Sequence, residues 1–412
     1  APDAQTLRRR VLELLDAVSA LHETEELRGV ARAAGLSLAE GPARAAFVAR
    51  GPGEMAELLS ARLRDVRTPA VSGAPHVCLL FPGHGAQWVG MGRDLLASSA
   101  HFRAELEACD RLFQPVAGWS LLDELVAPPS RSRLAEVDVV QAVLFALEVS
   151  LASLWRSFGV HADSVVGHSV GEVAAAHVAG ILSLEDAVKV IHERGVLTRE
   201  LAGKGGMVWL ALGAQDALAL VRELGVELVL GAENGPRSSV LSGGEDALAT
   251  LLTALASRGI RGGRVNIAFA SHSPQMDVLL ARFEERLAGI RPQKSRVEMV
   301  STVTGAVLAG PECDAAYWAR NLRQQVRFST AIGTVLARPG ALCVEVSPHA
   351  TLERLVQENS PKGAATPVFA SFRRGEDALG GLLSTLGALY ERGVSPDWDG
   401  VYPGVRAQPL PE

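Results

Sequence analysis

Short continuous apolar runs alternate along the chain with longer segments in which apolar residues recur every three or four positions. The run at 77–81 ends in Pro82-Gly83, and the run at 164–166 leads into a glycine-containing turn and a helical segment at 172–178. Unbroken apolar runs of this length predict strands of a parallel sheet that is buried on both faces. Further strands of this sheet are predicted at 299–303, 343–346 and 368–370. Strand, tight turn and helix in this order are typical of an α/β fold.

The longest apolar segment, residues 139–155, predicts a long buried helix. Gln141 and Glu148 interrupt its apolar surface, so we expect a core helix and no membrane-spanning segment.

Between residues 204 and 270 the pattern changes. Strands are predicted at 207–212, 226–230, 238–242 and 264–268, and helices at 214–224 and 245–258. This βαββαβ order is the ferredoxin-like arrangement, which predicts a subdomain inserted into the larger α/β body.

The two ends of the chain differ from this body. Residues 1–72 predict a small α/β unit, with helical periodicity from Leu7, a short strand at 45–49 and a helix at 52–63. The turn-rich stretch at 68–75 predicts a boundary. The last segment, 397–412, predicts an extended tail because it carries three prolines, Pro403, Pro409 and Pro411.

Composition narrows the class of protein. Apolar residues make up 48% of the 412 positions and charged residues 21%, which indicates a folded globular chain. The net charge of −6 shows no basic excess, so nucleic-acid binding is not expected. No cysteines are close enough for a metal site, and no secretory leader pattern opens the chain. We therefore expect no metal and a cytoplasmic protein with four buried, reduced thiols: Cys78, Cys109, Cys313 and Cys343.

Gly167-His168-Ser169-Val170-Gly171 matches the G-x-S-x-G pattern between a predicted strand and a predicted helix. The glycines permit a sharp turn that exposes the serine oxygen, and the helix N-terminus supplies N–H groups for an oxyanion. Ser169 is therefore a candidate nucleophile. A serine needs a base, and spacing alone cannot choose among ten histidines. We expect His168 and His177 to be structural, whereas His272 lies in a polar cluster after the last inserted strand. No acid between Ser169 and His272 has a persuasive context.

Three motifs occur in order: Phe81-Pro82-Gly83-His84-Gly85-Ala86-Gln87-Trp88, Gly167-His168-Ser169-Val170-Gly171-Glu172 and Phe269-Ala270-Ser271-His272. Together they resemble the acyltransferase domain of modular type I polyketide synthases, which is akin to malonyl-CoA:acyl-carrier-protein transacylases. The resemblance implies a hydrolase-like parallel-sheet core at 75–203 and 271–395 with the ferredoxin-like subdomain at 204–270. It also implies part of the ketosynthase-to-acyltransferase linker domain at 1–72, and the start of the following linker at 396–412.

The resemblance also implies catalytic roles. Ser169 is the nucleophile, His272 is its base, and the main-chain carbonyl of Asn321 orients that histidine, which explains the missing acid. The backbone N–H groups of His84 and Val170 form the oxyanion hole. The chain departs from the family at His84, where glutamine is usual, and at Gln325, where proline is usual.

Arg194 matches the carboxylate-binding arginine of the family, which implies a dicarboxylic acyl group. A guanidinium can give a carboxylate two parallel hydrogen bonds, although the residues alone favour a surface arginine on a helix. Gln141 matches a pocket-lining glutamine, next to Ala142 where the family usually has proline. Asn234 is either a turn residue or a pocket wall.

The resemblance implies that the choice of acyl group depends on Phe269, Ala270 and Ser271. By resemblance, the small Ser271 leaves room for an α-substituent, as in methylmalonyl-specific domains, whereas Val170 is typical of malonyl-specific ones. One methyl group changes binding by only about 1–3 kcal/mol. We favour methylmalonyl or a larger group, with malonyl as the alternative.

The resemblance implies ping-pong transfer from acyl-CoA, through an acyl-serine, to the phosphopantetheine thiol of an acyl carrier protein, without a metal or bound cofactor. The expected partners are that carrier protein and the neighbouring ketosynthase domain. Three alternatives remain: a serine thioesterase or hydrolase, a catalytically silent scaffold, and a loading domain that selects starter groups.

Overall fold

The computed structural model describes residues 1–37, 41–64, 73–361 and 365–408. Its helices are α1 (Ala4–Ser19), α2 (Thr24–Leu36), α3 (Pro52–Arg64), α4 (Arg93–Ser98), α5 (Ala100–Ala117), α6 (Leu121–Val126), α7 (Val137–Ser157), α8 (Gly171–Val178), α9 (Leu184–Arg199), α10 (Ala214–Leu224), α11 (Glu245–Ser257), α12 (Asp277–Leu287), α13 (Ala315–Arg323), α14 (Phe328–Leu336), α15 (Glu353–Asn359), α16 (Ala378–Tyr390) and α17 (Trp398–Val401). Its strands are β1 (His76–Phe81), β2 (Ser164–Gly167), β3 (Gly206–Leu210), β4 (Leu228–Gly235), β5 (Ser238–Gly243), β6 (Gly262–Arg264), β7 (Glu298–Val300), β8 (Val307–Leu308), β9 (Ala341–Glu345) and β10 (Val368–Ala370).

The chain divides into two compact units. The first contains Ala1–Pro75, Ser153–His161 and Gly375–Glu412, and the second contains His76–Ala152 and Ala162–Arg374. Residues 375–395, which we predicted to belong to the catalytic core, therefore group with the N-terminal segment. Of the predicted boundary, residues 68–72 lie outside the described part of the chain, as do Pro409 and Pro411.

The first unit has a helical core between α1, α2 and α3, in place of the predicted α/β unit. Its buried residues are Leu7, Val11, Val18, Leu27, Val30, Ala43 and Leu59. The strand predicted at 45–49 is wrong, since the described residues there have no strand to pair with. The N–H of Ala46 donates instead to the side chain of Glu391, at 3.1 Å. The extended tail is also corrected, because α17 begins where the Asp397 side chain accepts from the N–H of Asp399.

The second unit is built on a six-stranded sheet in the order β10-β9-β1-β2-β7-β8. The first five strands are parallel, as the unbroken apolar runs predict, and only the edge strand β8 is antiparallel to its neighbour. In the central pair, Phe81 of β1 lies opposite Gly167 of β2. The loops that follow β1 and β2 therefore leave the same edge of the sheet side by side, which is where α/β sheets bind ligands.

Helix α7 is long and apolar enough to cross a membrane by length and composition alone, but 89% of its apolar window is buried inside the protein. This degree of burial is that of a core helix, as predicted from residues 139–155.

Residues 206–264 form a second, four-stranded sheet in the order β4-β5-β3-β6, in which all neighbours are antiparallel. The strands and helices occur in the predicted βαββαβ order. Helices α10 and α11 cover one face with a leucine-rich cluster. On the other face, Met207 and Val240 join the buried cluster of the six-stranded sheet.

The last strand of this sheet differs from the prediction. We expected it at 264–268, but β6 ends at Arg264 because its pairing with β3 runs only from Gly262 to Arg264. A side chain at Gly262 would meet the carbonyl oxygen of Trp209 at 2.8 Å, so the close approach to β3 requires glycine. The sequence there has little apolar character and gives no strand pattern.

Candidate active site

Ser169 lies at the tip of a sharp turn between β2 and α8, in the left-handed conformation with φ of 54°. Both flanking positions must be glycine, because a side chain there would clash with neighbouring backbone atoms. A Cβ at Gly167 would lie 2.3 Å from Cα of Glu172, and one at Gly171 would lie 2.2 Å from the carbonyl oxygen of Phe81. The turn is therefore packed against its own helix and against the end of β1, which leaves the serine hydroxyl accessible above the sheet.

The Ser169 hydroxyl is hydrogen-bonded to an imidazole. Oγ lies 2.7 Å from Nε2 of His272, and Nδ1 of His272 lies 2.8 Å from the carbonyl oxygen of Gln324. A carbonyl oxygen can only accept, so Nδ1 carries the proton and Nε2 presents its lone pair to the hydroxyl. This is the arrangement a general base needs.

The residue that orients His272 is not the one predicted. The carbonyl of Gln324 takes the place that we assigned to the carbonyl of Asn321. Asn321 lies one turn earlier on α13, and its side-chain Nδ2 donates to the carbonyl oxygen of Ser169 at 3.1 Å. The prediction was wrong because every carbonyl in the last turn of a helix lacks a helical partner, so sequence alone does not select one of them.

His272 is held as a neutral base. Only 4% of its surface is exposed, and burial, with the positive charge of Arg194 as the second cause, lowers its pKa to about 3. The hydrogen bond to Gln324 acts in the opposite direction. The imidazole is therefore uncharged, and able to accept a proton, throughout the neutral range.

Arg194 projects from α9 towards the same hydroxyl, and its burial excludes the surface-arginine alternative. It is 2% exposed, with Nη1 donating to Oε1 of Gln141 at 2.9 Å and Nη2 lying 3.4 Å from Oγ of Ser169. Its Nε has no partner, and no carboxylate of the described residues lies within ion-pair distance. Burial lowers its pKa to about 10, with the charge of Glu172 acting in the opposite direction, and Arg194 stays charged at neutral pH. A buried cation without a carboxylate at ion-pair distance is suited to an anionic ligand.

Gln141 is part of this arrangement. It is fully buried on α7, and its Nε2 donates to the hydroxyl of Thr198 at 3.2 Å. That hydroxyl in turn donates to the carbonyl of Arg194, at 2.8 Å. The amide orientation of Gln141 is therefore fixed, with its oxygen towards the guanidinium. The structure brings Ser169, His272, Arg194 and Gln141 together from four separate segments of the chain.

The loop after β1 lies against the serine turn. A Cβ at Gly83 would meet the carbonyl of His168 at 2.9 Å and Cβ of Ser169 at 3.8 Å. In the described chain, the backbone N–H groups of His84 and Val170 have no protein acceptor. Nε2 of His84 is buried without a partner, and burial, followed by the charge of Arg194, lowers the pKa of His84 to about 3. Two N–H groups without a protein acceptor, one in each of these adjacent loops, are what an oxyanion site requires.

The predicted selectivity segment is buried directly before His272. Phe269, Ala270 and Ser271 are each at most 3% exposed. The hydroxyl of Ser242 holds the carbonyl of Ser271 at 2.6 Å, and the hydroxyl of Ser273 holds the carbonyl of Ala270 at 2.6 Å. These bonds fix the backbone on which the segment's side chains are carried.

Asn234 has a contact that the sequence did not indicate. It lies in β4, and its Oδ1 is 2.8 Å from Nε2 of His168. The His168 ring also lies against Phe328, with ring centroids 5.5 Å apart. His168 is therefore held by packing and by one hydrogen bond, as expected of a structural histidine. His177 is likewise held by a hydrogen bond, with Nδ1 3.1 Å from the carbonyl oxygen of Leu182.

Sequence reasoning missed Glu172. Its carboxylate is fully buried one helical turn after Ser169 and contacts Thr302, Tyr317 and Asn321. Its position inside the serine motif could have drawn attention to it, but nothing in the pattern showed that its partners lie 130 to 149 residues away. No group of three or more potential metal ligands occurs among residues 1–37, 41–64, 73–361 and 365–408.

Comparison with known proteins identifies this arrangement. Residues 78–393 match the family model described as the acyl transferase domain. The chain belongs to the acyl transferase family. Within it, the chain is similar to domains of modular polyketide synthases: it is 43% identical over 340 residues to erythronolide synthase EryA2 of Saccharopolyspora erythraea. The match covers 82% of this chain and 10% of that protein, so the chain spans about a tenth of this relative's length.

Two solved acyltransferase domains share the fold. The domain from module 8 of the salinomycin polyketide synthase has a TM-score of 0.88 and 37% identity, covering 97% of this chain and 96% of its own. The loading acyltransferase of the avermectin synthase has a TM-score of 0.73 and 40% identity, covering 76% of this chain and 99% of its own. The resemblance stated from three motifs is thereby confirmed over most of the chain.

Proposed function

We propose that this acyltransferase domain moves an α-substituted malonyl group, methylmalonyl or larger, from CoA to the phosphopantetheine thiol of an acyl carrier protein. The observation that carries the proposal is the buried, charged Arg194, which has no carboxylate partner and lies beside the Ser169 hydroxyl. An acyl group attached to Ser169 that ends in a carboxylate supplies the missing counter-ion. A monoacyl group such as acetyl does not.

In the first half-reaction, Nε2 of His272 takes the proton from Ser169 as Oγ attacks the thioester carbonyl. The negative charge that develops on the carbonyl oxygen is stabilised by the N–H groups of His84 and Val170. The C–S bond then breaks, the CoA thiol leaves with the proton from His272, and a serine ester remains. The carbonyl of Gln324 keeps Nδ1 protonated throughout, so that Nε2 is always the nitrogen that exchanges the proton.

In the second half-reaction, the carrier thiol gives its proton to His272 and attacks the ester carbonyl. The C–O bond breaks, and His272 returns the proton to Oγ of Ser169. Neither half-reaction requires a metal or a redox cofactor. The carrier protein and a neighbouring ketosynthase domain are the partners we propose, in the cytoplasm, because the similar chains are parts of modular synthases.

The fold supports this function in two respects. We assign the six-stranded sheet to the hydrolase-like core and the βαββαβ segment to the ferredoxin-like subdomain, which bears Asn234 next to the serine turn. We also assign extender selectivity to Phe269, Ala270, Ser271, Val170 and Gln141. The small side chain of Ser271 favours an α-branched substrate over malonyl.

The test is intact-protein mass spectrometry after brief incubation with malonyl-, methylmalonyl-, ethylmalonyl- and acetyl-CoA in competition, with Ser169→Ala as the control. We expect one α-branched adduct, absent from the control. A malonyl adduct in excess would assign the alternative specificity. Preferential acetyl labelling would contradict the role of Arg194, and CoA release without an adduct would favour a hydrolase.

A further inference from the structure

The carboxylate of Glu172 is saturated with hydrogen bonds although it takes no part in the reaction described above. Oε1 accepts from the backbone N–H of Thr302 at 2.5 Å and lies 3.0 Å from the Thr302 hydroxyl. Oε2 accepts from the hydroxyl of Tyr317 at 2.8 Å and from Nδ2 of Asn321 at 2.9 Å. A fully buried carboxylate with this many donors fixes the groups around it, since each would lose a charge-assisted bond by moving.

Two of these partners also contact backbone carbonyls of the serine turn. Nδ2 of Asn321 has two hydrogens, one for Glu172 and one for the carbonyl of Ser169, 3.1 Å away. The Thr302 hydroxyl lies 2.9 Å from the carbonyl of Gly167, on the other side of the nucleophile. The backbone carbonyls of Ser169 and Gly167 therefore contact side chains that are themselves hydrogen-bonded to Glu172.

The same helix end holds the base. Asn321 belongs to the last turn of α13, where the carbonyl of Leu322 accepts from the backbone N–H of His272 at 3.2 Å. The carbonyl of Gln324, just beyond that turn, accepts from Nδ1 of His272. A single short segment, residues 321–324, thus contacts Ser169 on one side and His272 on the other.

We infer that Glu172 and Asn321 are positioning residues that set the geometry of the Ser169–His272 pair. This inference rests on the proposed function. Glu172 anchors the Asn321 amide, and the amide fixes the strained backbone at Ser169 relative to the helix end that carries the partners of His272. Both half-reactions depend on this geometry.

The experiment compares two variants that each remove one donor to Oε2 of Glu172. Asn321→Leu also loses the hydrogen bond to the carbonyl of Ser169, whereas Tyr317→Phe leaves the hydrogen bonds of the serine turn intact. The first-order rate constant of acyl-enzyme formation from excess methylmalonyl-CoA is measured by rapid quench, and the amplitude of the CoA burst gives the active-site concentration separately. We expect Asn321→Leu to lower this rate constant by about 10- to 100-fold, since a misplacement of about 1 Å costs up to 10²-fold. We expect Tyr317→Phe to lower thermal stability but to leave the rate constant within about twofold of wild type.

The KM for acyl-CoA and the preference for methylmalonyl over malonyl are expected to be unchanged in both variants. A purely structural role would reduce the active fraction but not the rate constant of the remaining active sites. Glu172→Gln, which keeps the shape but places an amide N–H against existing donors, is expected to lower the rate constant as Asn321→Leu does, and it replaces Asn321→Leu if that variant does not fold.

The inference is overturned if Tyr317→Phe has the same rate constant as Asn321→Leu, or as Glu172→Gln where that variant is used. Absence of any acyl-enzyme in the wild-type chain instead overturns the proposed function, so the two failures are distinguishable.

Discussion

The Ser169 hydroxyl and the His272 imidazole share a hydrogen bond of 2.7 Å, and both residues have left-handed backbones, with φ of 54° and 57°. No other non-glycine residue in the described ranges has positive φ. Such conformations cost about 1–3 kcal/mol each and persist only where the surroundings enforce them. Here the packing of the flanking glycines and the bonds to Asn321, Leu322 and Gln324 enforce them. The pair is therefore preorganised before an acyl group arrives.

The pH dependence of acylation follows from the depressed pKa of His272. In the proposed mechanism the neutral imidazole is the active form, and a pKa of about 3 keeps it neutral as the pH falls through the usual histidine range. We expect kcat/KM for methylmalonyl-CoA to change by less than about twofold between pH 8 and 5.5. Folding over this range is checked by circular dichroism, and an acidic limb with a midpoint near 6.5 would contradict the neutral, buried base.

Replacing the buried cation should separate the two classes of substrate. Under the proposed function, Arg194→Gln removes the partner of the acyl carboxylate, and we expect a cost of about 2–5 kcal/mol, or roughly 30- to 5,000-fold in kcat/KM for methylmalonyl-CoA. Acylation by acetyl-CoA, which has no carboxylate, should fall by less than about tenfold. Equal losses for the two substrates, measured as adduct formation by mass spectrometry, would show that Arg194 supports the fold and does not recognise the carboxylate.

The serine turn should not tolerate a methyl group. Gly171→Ala places Cβ 2.2 Å from the carbonyl oxygen of Phe81, a backbone atom that cannot move without disturbing β1. We expect a loss of at least about 3 kcal/mol in the free energy of unfolding. Gly333→Ala is the matched control, because it lies in helix α14 with no atom within 4 Å of the added Cβ. It should be neutral or stabilising by up to about 1 kcal/mol. Similar denaturation midpoints for the two variants would argue against this packing.

A larger side chain at Ser271 should shift the choice of acyl group. We expect Ser271→Phe to reduce kcat/KM for methylmalonyl-CoA relative to malonyl-CoA by about 1–3 kcal/mol, or roughly 5- to 150-fold. The ratio is measured with both substrates in one reaction, so that changes in active fraction cancel. An unchanged ratio would assign selectivity to other pocket residues, of which Val170 is the first to test.

Sequence reasoning succeeded where a local pattern carries the information. The apolar runs of β1 and β2 located the parallel core, and the glycines around Ser169 located the turn, since each feature is set by neighbours in the chain. Arg194 could be chosen only through the resemblance. Its burial and its missing counter-ion depend on packing against α7, which the pattern of α9 does not reveal.

The predictions failed at positions whose structure depends on residues that are distant in the sequence. The extended segment at 45–49 has the composition of a strand, but strand formation requires a neighbour, and the N–H of Ala46 meets the side chain of Glu391 instead. The carbonyl that orients His272 could not be chosen within residues 321–324, because the direction of the backbone after a helix depends on the residues that pack against it. The role of Glu172 depends on contacts with residues more than a hundred positions away.

The proposed function requires Ser169 to pass its acyl group to a thiol and not to water. The most direct test is to load the chain with methylmalonyl-CoA, remove free CoA esters, and add a phosphopantetheinylated acyl carrier protein while following both proteins by intact mass. We expect the adduct to leave Ser169 and to appear on the carrier thiol much faster than it decays without carrier. Loss of the adduct at the same rate with and without carrier, with release of the free acid, would contradict it and identify a hydrolase.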